Sequence, residues 1–246
     1  MPKTPTTNAP AAPSLDLLAG EPDLAVVTLD PELQVLTANP AARRIYLPAG
    51  RADERLEGRQ LAGLYPSPFG EDVQRLRRLH REHGGPLLVR GIWRGHRVHT
   101  SVHAWPPGGT PGGSHPQGKG GGLLLLGRRG EPGGGDAVPT DHLRVDAGVI
   151  DLGELSTLTP RELEVLALLG SGGTLKDAAE SLRRSVKTVE SHRDNIARKL
   201  GLSRRGELVR VVERSGLRPS DVGVARLVLD EPAQRASSLG AATQNS

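Results

Sequence analysis

The chain has 246 residues, with 32 Lys and Arg against 28 Asp and Glu, 20 Pro, 32 Gly and no cysteine. This length suffices for one large or two small domains, and the lack of thiols excludes disulfides, cysteine-ligated metals and thiol nucleophiles. The first 20 residues lack the apolar core of a signal peptide, and the longest apolar run is too short to cross a bilayer. We therefore expect a cytoplasmic protein without a membrane segment.

The chain begins with a polar segment and continues with short strand patterns. Residues 1–20 are rich in Pro, Thr and Ala without a period, and they predict a disordered tail. The apolar, β-branched LAVVTLD at 24–30 and the alternating LQVLTAN at 33–39 predict two strands joined by a turn. NPAARRIY at 39–46 predicts a helix with Asn39 as its cap.

A longer helix and three further strands follow. EDVQRLRRLHREH at 71–83 predicts an amphipathic helix that the following Gly-Gly-Pro ends. Its apolar positions are Val73, Leu76, Leu79 and His83. PLLVRGIW and GHRVHTSVHAW then predict a hairpin, and LLLLG at 123–127 predicts a last strand. The Gly- and Pro-rich residues 106–122 predict a long loop before that strand.

Two segments of this N-terminal part, TANPAARRIY at 37–46 and GRQLAGLYP at 58–66, resemble the PAS domain family. The resemblance extends over residues 21–128. It implies an α+β fold, with a five-stranded antiparallel sheet and helices on one face. It also implies a sensor or interaction domain, since such domains bind small molecules between helices and sheet or mediate protein contacts. No cysteine is present to form a flavin adduct. The residues predict no cofactor, and they do not identify a small-molecule ligand for this domain.

Histidines are concentrated in the same part of the chain. Six of the eight lie between residues 80 and 115, namely His80, His83, His96, His99, His103 and His115. His99 and His103 share one face of a predicted strand, opposite the smaller apolar side chains that predict the core face. Because cysteine and a nearby carboxylate cluster are missing, we predict surface histidines and no metal or haem site.

The rest of the chain divides into a linker, a helical domain and a tail. Residues 129–154 contain a second Gly run and predict a linker. Residues 155–217 predict an all-α domain of four helices. Residues 218–246 predict a frayed tail, in which the apolar VARLVL at 224–229 is a candidate docking segment.

Caps and glycine stops mark the four predicted helices. Thr159 and Glu162 predict a capping box at the start of the first, and Ser185 predicts the cap of the third. The four helices open at or near Thr159, Thr174, Ser185 and Ser203. The first, third and fourth end at Gly170, Gly201 and Gly216.

The third helix, SVKTVESHRDNIARKLGL at 185–202, has an apolar side and a crowded polar side. The apolar side consists of Val186, Val189, Ile196 and Leu200. Residues 185–205 carry six Lys and Arg against two Asp and Glu, so positive charge is concentrated here. A short helix, a tight turn and a capped basic helix are typical of the helix-turn-helix, whose second helix fits the major groove of DNA.

The helical segment resembles the LuxR-type helix-turn-helix family through LTPRELEVL at 158–166, SVKTVESH at 185–192 and KLGL at 199–202. The resemblance implies a four-helix DNA-binding module in which the second and third helices read DNA and the fourth supports dimerisation. The family's base-facing positions fall on Glu190, Ser191 and Asp194. Its phosphate-facing positions fall near Lys187, Thr188, Arg193, Arg198 and Lys199.

Three residues depart from what a DNA-binding face requires. Arg184 stands where the family usually has an apolar residue. Glu190 is common in the family, and its carboxylate can accept a hydrogen bond from cytosine N4. Asp194 adds a second negative charge, which we expect to influence sequence specificity and affinity.

Together these features predict a non-enzymatic, sequence-specific transcriptional regulator. A PAS-like sensor or interaction domain would control whether two helix-turn-helix modules pair on a two-fold symmetric site. The expected partners are double-stranded DNA, a second copy of the chain on DNA, and RNA polymerase.

Three other functions stay open from the sequence. The first is a protein-interaction signalling module with weak or lost DNA binding, which the charge of Asp194 and the modest net charge keep open. The second is a sigma-factor-like promoter-recognition protein, although a second helical domain is missing. The third is an enzyme with a histidine-based metal site, although no catalytic carboxylate pair, nucleophile triad or phosphate loop supports it.

Overall fold

The computed structural model describes residues 18, 20–47, 51–104, 121–130, 141–202 and 205–227. The strands are β1 (Leu24–Leu29), β2 (Val35–Ala38), β3 (Leu87–Trp93), β4 (His96–Ala104), β5 (Leu123–Arg129), β6 (Leu143–Asp146), β7 (Val149–Ile150) and β8 (Ala225–Arg226). The α-helices are α1 (Pro40–Tyr46), α2 (Phe69–His83), α3 (Pro160–Gly170), α4 (Leu175–Ser181), α5 (Val186–Lys199) and α6 (Arg205–Ser215). Three 3₁₀ turns span Leu61–Gly63, Gly153–Thr157 and Pro219–Asp221.

Some predictions fall on other parts of the chain. Most of the tail at 1–20 and of the loop at 106–122, His115 and the Ser203 cap lie outside the described residues. Among the helices that are described, none combines the length and the apolarity needed to cross a membrane.

Six strands form one sheet, in the order β2-β1-β5-β4-β3-β6. The first five run antiparallel to their neighbours. β6 joins parallel to β3, with Leu143 beside Leu87. The prediction of a five-stranded antiparallel sheet is therefore wrong in its strand number. Without β6, the outer edge of β3 would carry unpaired main-chain donors and acceptors. Leu143–Asp146, which lies in the predicted linker, pairs with this edge.

Helices α1 and α2 cover one face of the sheet. The Asn39 side chain caps α1 by accepting from the Ala42 amide at 2.9 Å, and it also accepts from the Val26 amide at 3.0 Å. This one side chain therefore fixes the start of the helix against β1. Alternate residues of β1, including Ala25 and Val27, point into the core beneath the helices.

The histidine prediction is wrong for His80, which is only 8% exposed. His80 lies seven residues after Val73 and four after Leu76, so the core-facing side of α2 runs through His80 and leaves His83 exposed. His99 and His103 are both half-buried on β4. Within the described residues, no group of three or more His, Asp or Glu side chains could hold a metal ion.

Helices α3 to α6 pack together around a second apolar core that includes Leu163, Val189 and Ile196. Gly170 allows the close approach of α6, because a Cβ atom at this position would lie 1.6 Å from Cγ1 of Val212. The same core includes Ile92 of β3, so the interior of the helical bundle continues into the sheet.

The chain after α6 turns back toward the sheet. β8 pairs parallel with β7, with Ala225 beside Val149, and the Leu227 amide donates to the Ile150 carbonyl at 2.9 Å. Leu227 is 5% exposed and belongs to the core of the sheet domain. The prediction of a frayed tail is therefore wrong for this segment, because main-chain hydrogen bonds and apolar burial hold it.

A buried ion pair joins the sheet to the end of the helical bundle. Arg97 of β4 donates from Nη2 to Asp221 Oδ2 at 2.5 Å and to the Gly216 carbonyl at 2.6 Å. The two charged side chains are 7% and 12% exposed. Asp221 also accepts from the Arg218 amide at 2.7 Å, so the guanidinium and the returning chain hold each other in place.

We expect Arg97→Met to lower the free energy of unfolding by about 3 kcal/mol, because it leaves the Asp221 carboxylate buried without its cation. The double variant with Asp221→Asn should recover part of this loss. Urea denaturation measures both. The matched control is Arg128→Ala on the neighbouring strand, where an exposed side chain should change stability by about 0.5 kcal/mol or less. Equal losses from Arg97 and Arg128 would contradict the role of the ion pair.

The structure also predicts a loss of stability in acid. Burial, with help from Arg129, Arg214 and Arg94, lowers the pKa of His96 to about 4. The unfolded chain therefore binds the proton more readily, and stability falls as the pH drops from about 6.5 toward 4. Since the ring is half-buried, we expect a loss on the order of 1 kcal/mol.

Thermal melts at pH 7 and pH 5 test this prediction. His96→Asn, which keeps a donor near the Arg94 carbonyl, should reduce the difference between the two pH values. The exposed His83→Asn is the control and should leave that difference unchanged. An unchanged difference in His96→Asn would refute the assignment.

Candidate nucleic-acid interface

Side-chain caps start the three helices that build this surface. Thr159 Oγ1 accepts from the Glu162 amide at 3.2 Å, and Glu162 Oε2 accepts from the Thr159 amide at 2.8 Å. Thr174 forms the same reciprocal box with Asp177 at the start of α4. At the start of α5, Ser185 Oγ accepts from the Thr188 amide at 3.1 Å. These local bonds set where each helix begins.

The turn between α4 and α5 is held by main-chain bonds and by one arginine from α3. Arg183 adopts a positive φ of 51°, and the Arg184 amide donates to the Ala179 carbonyl at 2.9 Å. Arg161 donates from Nη2 to the Leu182 carbonyl at 2.8 Å, and thereby fixes the end of α4. No local pattern in the sequence indicates this role of Arg161, which depends on a contact with a residue 21 positions further along the chain.

One side of α5 is buried in the bundle. Val189 and Ile196 have no exposed surface. Val186 was predicted on the same apolar side, and that prediction is wrong, since Val186 is 41% exposed. Val186 is the first residue of the helix, and this first turn lies outside the core. The spacing of apolar residues indicates one side of a helix but not how far along that side the core extends.

Glu190, Ser191 and Asp194 lie together on the exposed side of α5. Ser191 Oγ donates to the Lys187 carbonyl at 3.0 Å, one turn earlier in the same helix. Arg193 donates to Asp194 Oδ1 from Nε at 3.0 Å and from Nη2 at 2.7 Å. The adjacent guanidinium therefore compensates the negative charge of Asp194.

The predicted phosphate-facing residues separate into two groups. Lys187, Thr188, Arg193 and Arg198 lie on the accessible part of α5. Lys199 differs, because its Nζ donates to Glu162 Oε2 at 2.6 Å. The carboxylate of Glu162 is 5% exposed, so Lys199 is directed into the bundle and not toward a phosphate. The expectation that Lys199 faces phosphate does not fit this geometry.

Glu162 is shared between the helix cap and the bundle. Burial raises the pKa of its carboxyl, but hydrogen bonds from Lys199 and Thr159 outweigh this effect and lower the pKa below its ordinary value. The carboxylate stays ionised at neutral pH and links the first turn of α3 to the last turn of α5.

A second candidate site lies inside the sheet domain. Helix α2, the 3₁₀ turn at Leu61–Gly63 and the sheet enclose an apolar cavity of about 120 Å³. Side chains that reach it from the sheet include Trp93 and Thr100.

Residues 156–212 match the family model described as bacterial regulatory proteins, luxR family. The matched range begins in the 3₁₀ turn before α3 and ends within α6. This part of the chain is therefore similar to the LuxR-type helix-turn-helix family.

Two curated relatives are transcriptional or regulatory proteins by name. The transcriptional regulatory protein TdiR of Thauera aromatica is 40% identical over 83 residues, which cover 34% of this chain and 37% of the relative. The oxygen regulatory protein NreC of Staphylococcus aureus strain JH9 is 52% identical over 52 residues, which cover 21% and 24%. The chain therefore spans about a third or a quarter of the length of these relatives.

Solved structures similar to this chain include the Vibrio cholera VqmA–ligand–DNA complex, with 19% identity and a TM-score of 0.41 over 87% of this chain and 92% of that chain. The Vibrio cholerae VqmA dimer in the absence of target DNA has 20% identity and a TM-score of 0.36 over 86% and 92%. Scores this low do not establish a common arrangement.

We expect Lys199→Met to lower the free energy of unfolding by about 2 kcal/mol, because it leaves the buried Glu162 carboxylate without its cation. Adding Glu162→Gln should restore part of the loss. Urea denaturation midpoints measure the effect, and Arg198→Met one residue earlier is the control, with a change of about 0.5 kcal/mol or less. If both single variants are equally stable, the Lys199–Glu162 bond contributes nothing.

Proposed function

We propose that this chain is a non-enzymatic, sequence-specific DNA-binding regulator of transcription. The observation that carries the proposal is the exposed, basic side of α5, which lies on a LuxR-type domain and begins at the Ser185 cap. A helix of this kind fits the major groove, and its first amides can meet a phosphate. The regulatory names of TdiR and NreC support the same function.

The proposed base-facing residues are Glu190, Ser191 and Asp194. The Glu190 carboxylate can accept from cytosine N4, and the Ser191 hydroxyl can donate or accept. Asp194 can act in two ways, because Arg193 holds its carboxylate in a fixed position. It can accept from cytosine, and it can repel a phosphate that approaches in the wrong register.

The proposed phosphate-facing residues are Lys187, Thr188, Arg193 and Arg198. Each cation that neutralises a phosphate releases a counterion, so binding should weaken as salt rises. We assign Lys199 a supporting role, because it fixes the last turn of α5 against Glu162.

The N-terminal part is proposed to be a PAS-like sensor or interaction domain over residues 21–128, and residues 155–217 are proposed to be the DNA-binding domain. The segment between them includes β6, which pairs with β3 of the sheet, and β7. The antiparallel strand order β2-β1-β5-β4-β3 and the cavity beneath α2 support this assignment. We propose that the protein acts as a homodimer on two-fold symmetric DNA and contacts RNA polymerase there.

Selection of bound fragments from sheared genomic DNA, using purified full-length protein at two salt concentrations, tests the function. We expect enrichment of a two-fold symmetric motif. Lys187→Ala should weaken binding to all sequences and reduce the salt slope by about 1, whereas Asp194→Ala should change the preferred sequence. The control is Arg78→Ala, an exposed residue of α2, which should change neither.

Two outcomes would contradict this proposal. No enriched motif, with binding that vanishes at moderate salt, would leave only weak phosphate contact and favour a protein-interaction module. An Asp194→Ala variant with unchanged preference and affinity would show that the reading face is assigned incorrectly.

A further inference from the structure

The aromatic residues of this chain are gathered around one cavity. The chain has five aromatic residues, and four of them line the apolar cavity of about 120 Å³ beneath α2, namely Tyr46, Tyr65, Phe69 and Trp93. Their rings meet edge to face, with centroids 5.8 Å apart for Tyr46 and Trp93 and 5.1 Å apart for Tyr65 and Phe69. An engineered apolar cavity of about 150 Å³ is known to hold benzene, so this volume suits a molecule of that size or slightly smaller.

The polar groups of the cavity wall are neutral or already paired. Tyr46 Oη and Thr100 Oγ1 lie 2.7 Å apart and share one hydrogen bond. Burial raises the pKa of Tyr46 to about 12, although the bond with Thr100 opposes the shift, so the phenol stays neutral. The Asp72 carboxyl group is already paired, because its Oδ1 accepts from Arg75 Nε at 2.7 Å. A charged ligand would therefore lose its hydration without gaining a partner.

One wall of the cavity comes from the segment Asp146–Val149, which runs from the last residue of β6 to the first residue of β7 and which we call the connector. Ala147 and Val149 line the cavity directly. Between them, the Gly148 amide donates to Asp72 Oδ2 at 2.9 Å. A Cβ atom at Gly148 would lie 2.7 Å from Asp72 Oδ1, so a side chain at this position would displace the Asp72 carboxylate.

The connector is also attached to the helical bundle. The residue after Val149 is Ile150, which is 1% exposed and belongs to the core of the bundle together with Leu152 and Leu155. Arg75 of α2 donates to the Asp146 carbonyl at 2.9 Å. A displacement of α2 by a molecule in the cavity would therefore move the chain that enters the bundle.

We propose that this cavity binds a small, neutral, mainly apolar molecule of about benzene size with at most one hydrogen-bonding group, and that the connector transmits its binding to the helical bundle. The inference rests on the proposed regulator function, because it names the ligand class and the route of control of its sensor domain. The Tyr46–Thr100 hydroxyl pair selects the polar group of the ligand. Because binding and connector position are linked, each stabilises the other.

The first experiment measures ligand class with purified full-length protein carrying Trp105→Phe, in which Trp93 is the only remaining tryptophan. The probes are toluene, phenol and benzoate. We expect toluene and phenol to change Trp93 fluorescence saturably, with dissociation constants on the order of 0.1–1 mM for ligands of so few atoms. Benzoate should produce no saturable change. Absence of toluene and phenol binding, or equal binding of benzoate, would overturn the proposed ligand class.

Two variants locate the site. Thr100→Val should weaken phenol binding about fivefold and leave toluene binding unchanged, because it removes one hydrogen-bonding group. Ala147→Leu should abolish binding of both probes by filling the cavity from the connector side. If Ala147→Leu does not fold, the Thr100→Val comparison decides alone, and equal losses for both probes would contradict the hydroxyl pair as the polar anchor.

The second experiment measures the connector by amide hydrogen exchange with and without toluene. We expect exchange in peptides covering Asp146–Val149 to slow about threefold when toluene binds. In Asp72→Ala the slowing should disappear, while the exposed neighbour variant Glu71→Ala should keep it. Toluene binding without any change in exchange would overturn the role of the connector.

These measurements contain no DNA, so their failure is distinct from failure of the proposed regulator function, which the fragment selection tests. Repeating the fragment selection with saturating toluene tests whether ligand binding changes DNA binding. A changed yield of the enriched motif is expected for wild type and not for Asp72→Ala. An equal response of both proteins would contradict transmission through the connector.

Discussion

The architecture depends on a guanidinium that is removed from water. Arg97 projects from β4 to a place where its charge is almost fully buried, and such a charge requires anionic and carbonyl partners close by. Gly216 and Asp221 supply them from the end of the helical bundle. The chain after α6 must therefore turn back to the sheet, and it then adds β8 to β7. The position of the bundle against the sheet follows from this bond and from the apolar core that both share through Ile92.

The same strand, β4, borders the aromatic cavity and the end of the helical bundle. Thr100 faces the aromatic cavity, and Arg97, three residues earlier, holds the end of α6. The connector gives a second attachment, since Val149 lines the cavity and Ile150 enters the core of the bundle. A rearrangement around the cavity would thus reach the helical bundle at two places, both made of packed or hydrogen-bonded groups that resist independent movement.

Several polar residues around α5 take part in more than one interaction. Glu162 caps α3 and binds Lys199 of α5, so one buried carboxylate also sets the orientation of α5. Arg193 donates to the Asp194 carboxylate, and this pairing limits the negative charge on the proposed reading face. Charge counts from sequence cannot separate such paired groups from those exposed to a ligand, because pairing depends on side chains brought together by folding.

Local signals in the sequence determined the elements. Asn39, Thr159 and Ser185 mark helix starts because a short polar side chain beside a free amide acts within three residues. Tertiary structure decided what lies far apart in the chain. No periodic pattern in the sequence indicates three of its features. These are the pairing of β6 with β3, the cavity wall formed by the connector, and the bond between Arg97 and Asp221 across 124 residues. Each depends on which strand edge or charged side chain still lacks a partner after the helices and strands have formed. Only the packing of the whole chain determines this.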